Sequence, residues 1–282
     1  MNKKQLVIKD LVQLKPEESK LFQKLVYDSL GICMDERKNA LIQNRLRKRL
    51  ISTGMPTYGA YYKYIINPVN KNELKECLNL LTTNETFFFR HKEQWDFFTK
   101  IFIPEWANSY KVGSMIRIWS AACSTGAEAY SAAIALLELL PKSKIFQISI
   151  EGTDINEKVI EYAKKALYDE YALQKLTKEC VKKYFKRDKE SINYLISEQV
   201  RKVVYFRHHN LMNSILGPPF DLIFLRNVMI YFDDKSKAVV LKNVLRRIKP
   251  GGYLILGGAE TLSSYEDLFT FVKPSIYRRR KN

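Results

Sequence analysis

Cysteine and histidine are scarce in this chain of 282 residues, which holds four of the first and three of the second. Cys33, Cys77, Cys123 and Cys180 lie far apart, form no C-x-x-C and have no histidine pair nearby. That spacing argues for reduced thiols and against a structural zinc site. Long apolar runs are missing too: none reaches the ~18 residues of a membrane-spanning helix. The opening stretch, MNKKQLVIKD, puts Asp10 where a secretory signal needs its apolar centre, so no such signal is expected. Neither G-x-x-x-x-G-K-[ST] nor G-x-G-x-x-G occurs, which argues against a nucleotide phosphate cradle and the dinucleotide fingerprint. Negative charge is also in deficit, with 30 Asp and Glu against 47 Lys and Arg.

What is present suffices for a large core, since 46% of residues are hydrophobic and 12% aromatic. The net charge of +17 calls for an acidic partner. Nucleic acid, anionic lipid and acidic protein helices all qualify. Residues 1–80 read as helical. Within Asp35–Leu50, Ile42, Leu46 and Leu50 form one apolar stripe, while Lys38, Arg45 and Arg49 fall on another face, either a solvated surface or a docking surface. Gly54 and Pro56 close that helix. From about Lys111 strands and helices alternate: a strand at Met115–Ala121, a helix from Ala127 to Leu140, a strand at Ile145–Gly152, a helix from Asn156. The apolar runs VVYFRH, FDLIFLR and YLILGG follow, with Pro-Gly-Gly read as the end of the last helix. This alternation predicts a mostly parallel sheet covered on both faces. The irregular piece from Tyr184 to Gln199 leaves room for a small antiparallel insertion.

Ligands of such sheets bind beyond the carboxyl ends of the strands. AACSTGAEAY follows the first strand and carries Glu128. Asp154 follows the second, where an acid can accept both hydroxyls of a ribose. Arg226, Asn227 and Tyr231 follow the FDLIFL run. Each has a plainer reading: a first-turn acid, a helix N-cap, a core aromatic. Acids without a phosphate grip suit a cationic nucleoside, and S-adenosylmethionine fits that description.

TTNETFFFR (Thr82–Arg90), IWSAACSTGAEAYSAAI, GTDINEKVIEYAKKALY, HNLM and FDLIFLRNVMIYFDDKSKAVVLKNVLRRIKPGGYLILGGAETL together resemble the chemotaxis receptor glutamate methyltransferases, the CheR family. The resemblance implies a helical domain over residues 1–80 and an S-adenosylmethionine-dependent α/β methyltransferase domain over 81–282. It also implies a small β-subdomain at about 183–207. The implied cofactor contacts are Asn84, Thr86, Arg90, Glu128, Asp154, Asn210, Leu211, Arg226 and Asn227. Arg90 and Tyr231 would lie closest to the transferring methyl, and Phe87, Phe88 and Phe89 would order the turn presenting Arg90. Arg45 and Arg49 would meet the acidic helical bundle of a receptor. The expected enzyme is cytoplasmic, monomeric and associated with membrane-bound receptor arrays, and releases S-adenosylhomocysteine without a metal. Two departures stand out: Ala127-Glu128-Ala129 where relatives carry an acidic pair and proline, and an insertion lacking the glycine-rich turn of members that bind a receptor tail.

Two rivals share these features. A nucleic-acid methyltransferase would use the positive charge, and Gly217-Pro218-Pro219-Phe220 faintly resembles an amine-gripping motif, though it precedes its strand. A cofactor-binding scaffold without turnover is the other. The basic end Arg278–Lys281 reads as a solubilising tail.

Overall fold

The computed structural model describes residues 12–143, 145–262, 265 and 267–281, so the stretch around Asp10 lies outside the described residues. The chain divides into two compact units, one containing the residues up to Thr83 with Tyr231–Ser236, the other Asn84–Ile230 with the residues from Lys237 onward.

The first unit is built of helices α1 (Pro16–Leu30), α2 (Asn39–Thr53), α3 (Tyr58–Ile65) and α4 (Lys71–Leu81). Pro16 and the acids Glu17 and Glu18 suit the first turn of α1, where the Glu18 carboxylate accepts from Lys15 N at 3.0 Å. Ile42, Leu46 and Leu50 of α2 are buried, as their spacing predicts. The helix itself starts later than the sequence pattern, because Asp35 accepts from Arg37 N and caps a separate 3₁₀ turn at Glu36–Lys38.

The second unit carries short helices α5 (Lys92–Phe97) and α6 (Ile103–Ser109) before its sheet. The sheet strands are β1 (Met115–Ala121), β2 (Gln147–Asp154), β6 (Val204–His208), β7 (Phe220–Leu225), β8 (Ile248–Leu256), β9 (Phe269–Lys273) and β10 (Ile276–Arg279). Their order is β6-β2-β1-β7-β8-β10-β9. β6, β2, β1, β7 and β8 pair in parallel, and β10 runs antiparallel to both β8 and β9. All of Phe220–Leu225 is buried, the continuous apolar run of a parallel strand covered on both faces. Helix α7 (Ala127–Leu139) packs on β1, β2 and β6, and α8 (Glu157–Lys165) on β2 and β6. The alanines of α7 allow close approach. The order reverses between β1 and β7, which opens a crevice at their carboxyl ends.

A second, three-stranded antiparallel sheet joins β3 (Leu167–Tyr168), β5 (Tyr194–Ile196) and β4 (Phe185–Arg187), with α9 (Glu170–Leu173) and α10 (Lys178–Tyr184) between β3 and β4. It begins well before the expected 183–207, since a two-residue strand carries no alternation to read. Val204–His208 instead pairs with β2, beyond α11 (Glu198–Arg201). Two further expectations are corrected. Pro250-Gly251-Gly252 does not end helix α12 (Asp234–Leu245) but lies inside β8, where the register against β7 shifts. A proline without an N–H and Gly251 at φ 77° together make that irregularity. The basic end is no loose tail: Arg278 reaches Glu105 at 2.6 Å and Gly251 O at 2.9 Å, and Arg279 donates to Leu245 O at 2.9 Å.

Candidate active site

The crevice is organised by a chain of polar contacts at the carboxyl ends of β1, β2 and β7. Glu128, in the first turn of α7, accepts from Ser120 Oγ at 2.7 Å and from Arg226 Nη1 at 2.8 Å. Arg226 directly follows β7, and its Nη2 donates to the carbonyl of Arg90. Trp95 Nε1 donates to that same carbonyl at 3.0 Å. The Glu128–Arg226 pair therefore ties two strand ends to the turn that carries Arg90. Only 3% of the Arg226 side chain and 12% of the Glu128 side chain is exposed. Burial pushes the Glu128 carboxyl above its ordinary range, with Arg226 and Ser120 pulling it back.

The loop from β1 to α7 is held just as tightly. Ala122 and Ser124 both adopt left-handed φ, at 63° and 51°. Ser124 N donates to Asp154 Oδ2 at 2.8 Å and Ser124 Oγ to Asn84 O at 2.7 Å. Asp154 is buried at the end of β2, and its other oxygen accepts from Asn156 N at 2.9 Å. The N-cap role belongs to Asn156, which accepts from Lys158 N at 3.0 Å. At Gly126, with φ 86°, a Cβ would come within 2.8 Å of both Ala163 and Phe206, so the turn into α7 admits no side chain.

Across the crevice, His209 N donates to Asp154 O at 2.8 Å, setting Asn210 and Leu211 beyond β6. Asn210 Oδ1 accepts from Met212 N at 2.9 Å, and the buried Leu211 offers its carbonyl to Asn243. Asn227 lies just past Arg226 with φ 59°. Asn84 and Thr86 are half-buried. Arg90 folds back on its own turn, donating to Glu85 O at 2.8 Å with its guanidinium over the Phe87 ring. No carboxylate meets it among the described residues. The three phenylalanines have separate duties. Phe88 is core, edge-on to Tyr168 at 4.9 Å and Phe185 at 5.3 Å. Phe89, at φ 52°, donates its N–H to the buried Ser131 Oγ at 3.0 Å.

Three expected site residues belong to the helical unit. Tyr231 closes the turn Met229–Tyr231, and its carbonyl accepts from Cys33 N at 2.7 Å. Arg45 donates to Leu80 O at 3.1 Å and Thr82 O at 2.7 Å, satisfying the last carbonyls of α4. Arg49 grips Glu73 with Nε at 2.8 Å and Nη2 at 2.5 Å, while Tyr61 donates to the same carboxylate at 2.7 Å. Both guanidiniums hold α2 to α4, a role that their place on one helix face does not reveal. The sequence reading also missed Ser120, Ser124, Ser131 and Glu260. Glu260 was within reach of the strand-end rule, for it stands just beyond β8 as Asp154 stands at the end of β2.

Gly217–Pro219 lies at the entrance of β7, opposite the crevice. The donor set of the crevice combines buried acids with a β1–α7 loop that carries no lysine or arginine. That chemistry fits S-adenosylmethionine, whose sugar hydroxyls and positive charges call for acceptors rather than a phosphate grip. Residues 84–278 match the family described as CheR methyltransferase, SAM binding domain, and residues 17–82 match CheR methyltransferase, all-alpha domain. The chain belongs to the CheR methyltransferase family. It is 33% identical over 270 residues to the chemotaxis protein methyltransferase of Borreliella burgdorferi, covering 94% of each chain. The chemotaxis protein methyltransferase of Escherichia coli is 31% identical over 266 residues, covering 92% of this chain and 89% of that one. The enzyme is an S-adenosylmethionine-dependent methyltransferase, and none of its described helices is long and apolar enough to cross a membrane.

Beside Asp154, His209 gives the enzyme a testable pH dependence. Burial, helped by the nearby positive charges of Arg207 and His208, lowers its pKa to about 4. Its Nε2 is buried without a partner among the described residues. Above pH ~6.5 the imidazole is neutral in both folded and unfolded chains. Between pH ~6.5 and ~4 the unfolded chain takes up a proton that the folded one refuses, so stability falls with pH. Allowing for partial exposure, the loss is about 2 kcal/mol. Urea unfolding at pH 7.5 and 5 should show this slope, and His209→Gln should flatten it.

Proposed function

We propose that the methyl acceptors are glutamate side chains on the cytoplasmic helical bundle of chemotaxis receptors, which become methyl esters. When bound, S-adenosylmethionine supplies a methyl group on a positively charged sulfur and leaves as S-adenosylhomocysteine. A glutamate carboxylate, with a pKa of about 4.3, is already ionised near neutrality, so no base is needed. One O–C bond forms, one C–S bond breaks, and a negative and a positive charge cancel. Strong hydration of either charge slows such a step. The protein's work is therefore alignment and exclusion of water.

The observation that carries this reading is Arg90. It is a cation at the crevice turn, met by a carbonyl and an aromatic face but by no carboxylate of its own chain among the described residues. It can hold one oxygen of an incoming carboxylate and leave the other free to attack. Asp154 would take the cofactor's ribose, with Asn84, Thr86, Asn210, Leu211 and Asn227 around it, and Glu128 would face its ammonium. Docking on an acidic bundle would then draw on the exposed Lys38 and Lys48 more than on Arg45 and Arg49, whose guanidiniums hold α4.

The test is transfer of radiolabelled methyl to receptor-bearing membranes. Label in receptor protein that alkali releases as methanol is the expected result, since esters hydrolyse and N-methyl groups do not. Arg90→Ala should raise the acceptor KM about tenfold, the scale of one lost charge-assisted contact. Reversing Lys38 and Lys48 to glutamate should raise it several-fold, most at low salt, with cofactor affinity unchanged. Alkali-stable label, or label in RNA, would overturn the assignment.

A further inference from the structure

The acid that the sequence reading passed over has an unusual set of partners. Glu260 is 8% exposed, yet no cation pairs with it among the described residues. Its Oε2 accepts from Asn227 N at 3.0 Å and from Gly257 N at 2.5 Å, and its Oε1 from Ile230 N at 3.3 Å. A buried charge held by amide donors alone sustains strong, charge-assisted bonds and leaves no room for a neutral substitute that presents a donor. Those amides belong to two different strand ends: Gly257 follows β8, and Asn227 and Ile230 follow β7. Asn227 also sits at φ 59°, a conformation that a residue with a side chain keeps only when its surroundings insist. The fit around it is close. A Cβ at Gly257 would lie 2.7 Å from Glu260 Oε2, 2.9 Å from Asn227 N and 3.0 Å from Asn227 Nδ2.

We propose that Glu260 is a positioning residue for cofactor binding: it clamps the β7 loop to the end of β8 and so holds Asn227 in the conformation that binds S-adenosylmethionine. The carboxylate acts through Asn227 and makes no contact with the reacting atoms. Glycine at 257 is what lets the carboxylate, the Asn227 amide and the strand end occupy one small space. This proposal rests on the reading of Asn227 as a cofactor contact.

The experiment is a double-mutant cycle read by calorimetric titration of the full chain with S-adenosylhomocysteine, which needs no knowledge of the acceptor. Glu260→Gln keeps the shape but turns one acceptor into a donor facing an N–H. It should raise Kd about tenfold, as should Gly257→Ala. Asn227→Ala should raise Kd to a similar degree, and Glu260→Gln added to it should change Kd less than twofold, because both act through one contact. If the glutamine variant does not fold, Glu260→Asp, which retracts the carboxylate by one methylene, carries the same expectation. Additive losses, or a lowered Tm with an unchanged Kd, would reduce Glu260 to a stabilising residue and overturn the proposal. An Asn227→Ala variant that binds normally would overturn it together with the reading of Asn227. A loss at Asn227 with none at Glu260 would overturn it alone.

Discussion

Arg226→Met is expected to destabilise the methyltransferase unit by about 3–5 kcal/mol, the usual result of leaving one buried charge without its partner. In calorimetry this is a fall in Tm on the order of 10 °C. The cause is specific. Glu128 would keep only Ser120 Oγ, and Arg90 O would lose one of its two side-chain donors. The pH signature has a definite sign. With Arg226 gone, burial drives the Glu128 carboxyl further upward, and a group whose folded pKa is raised costs nothing once protonated. The deficit should therefore shrink as pH falls towards 5 and grow as it rises past neutrality. Glu128→Leu combined with Arg226→Met removes both charges and should recover most of the stability, since apolar replacements of buried pairs are often neutral. Methyl transfer should not return, because the tie to the Arg90 turn is still missing. A double variant as unstable as the single one would show that the tie, not the charge, carries the stability.

The second large effect is expected at Phe88. Its ring is fully buried between Tyr168 of β3 and Phe185 of β4, and its N–H donates to Ala172 O at 3.1 Å. Phe88→Ala should cost about 3–5 kcal/mol in urea unfolding through lost burial and an unfilled cavity. Phe87 is only half-buried, under the Arg90 guanidinium. Phe87→Ala should leave stability within about 1 kcal/mol and show itself in the acceptor KM, as a surface change would. The two adjacent rings thus separate the needs of the core from those of the site. A Phe88→Ala variant within 1 kcal/mol of the parent would contradict this division.

Local pattern carries far along this chain because its strands and helices announce themselves within a few residues. The β1 strand falls where Met115–Ala121 was expected, and α7 runs from Ala127 to Leu139. Asp154, Glu128, Arg226 and Asn227 were legible because a strand end in an alternating α/β sequence is also a position in space, beyond the edge of the sheet. Glu260 obeys the same rule, four residues past the end of β8 at Leu256. By contrast, a helical wheel separates Arg45 and Arg49 from the apolar stripe but cannot tell a solvated cation from one that holds another helix.

By itself, then, the order of residues determined the family and the alternating α/β architecture, and it put Asp154 and Arg226 at strand ends, since short periodicities and strand ends are properties of neighbouring residues. Only the tertiary structure decided which charges are spent internally. Arg45 finds its carbonyl 35 residues away, Arg49 its acid 24 away, Glu260 its Asn227 amide 33 away and Arg226 its carboxylate 98 away. Pairings across such separations depend on packing that brings elements together, and no local pattern records them.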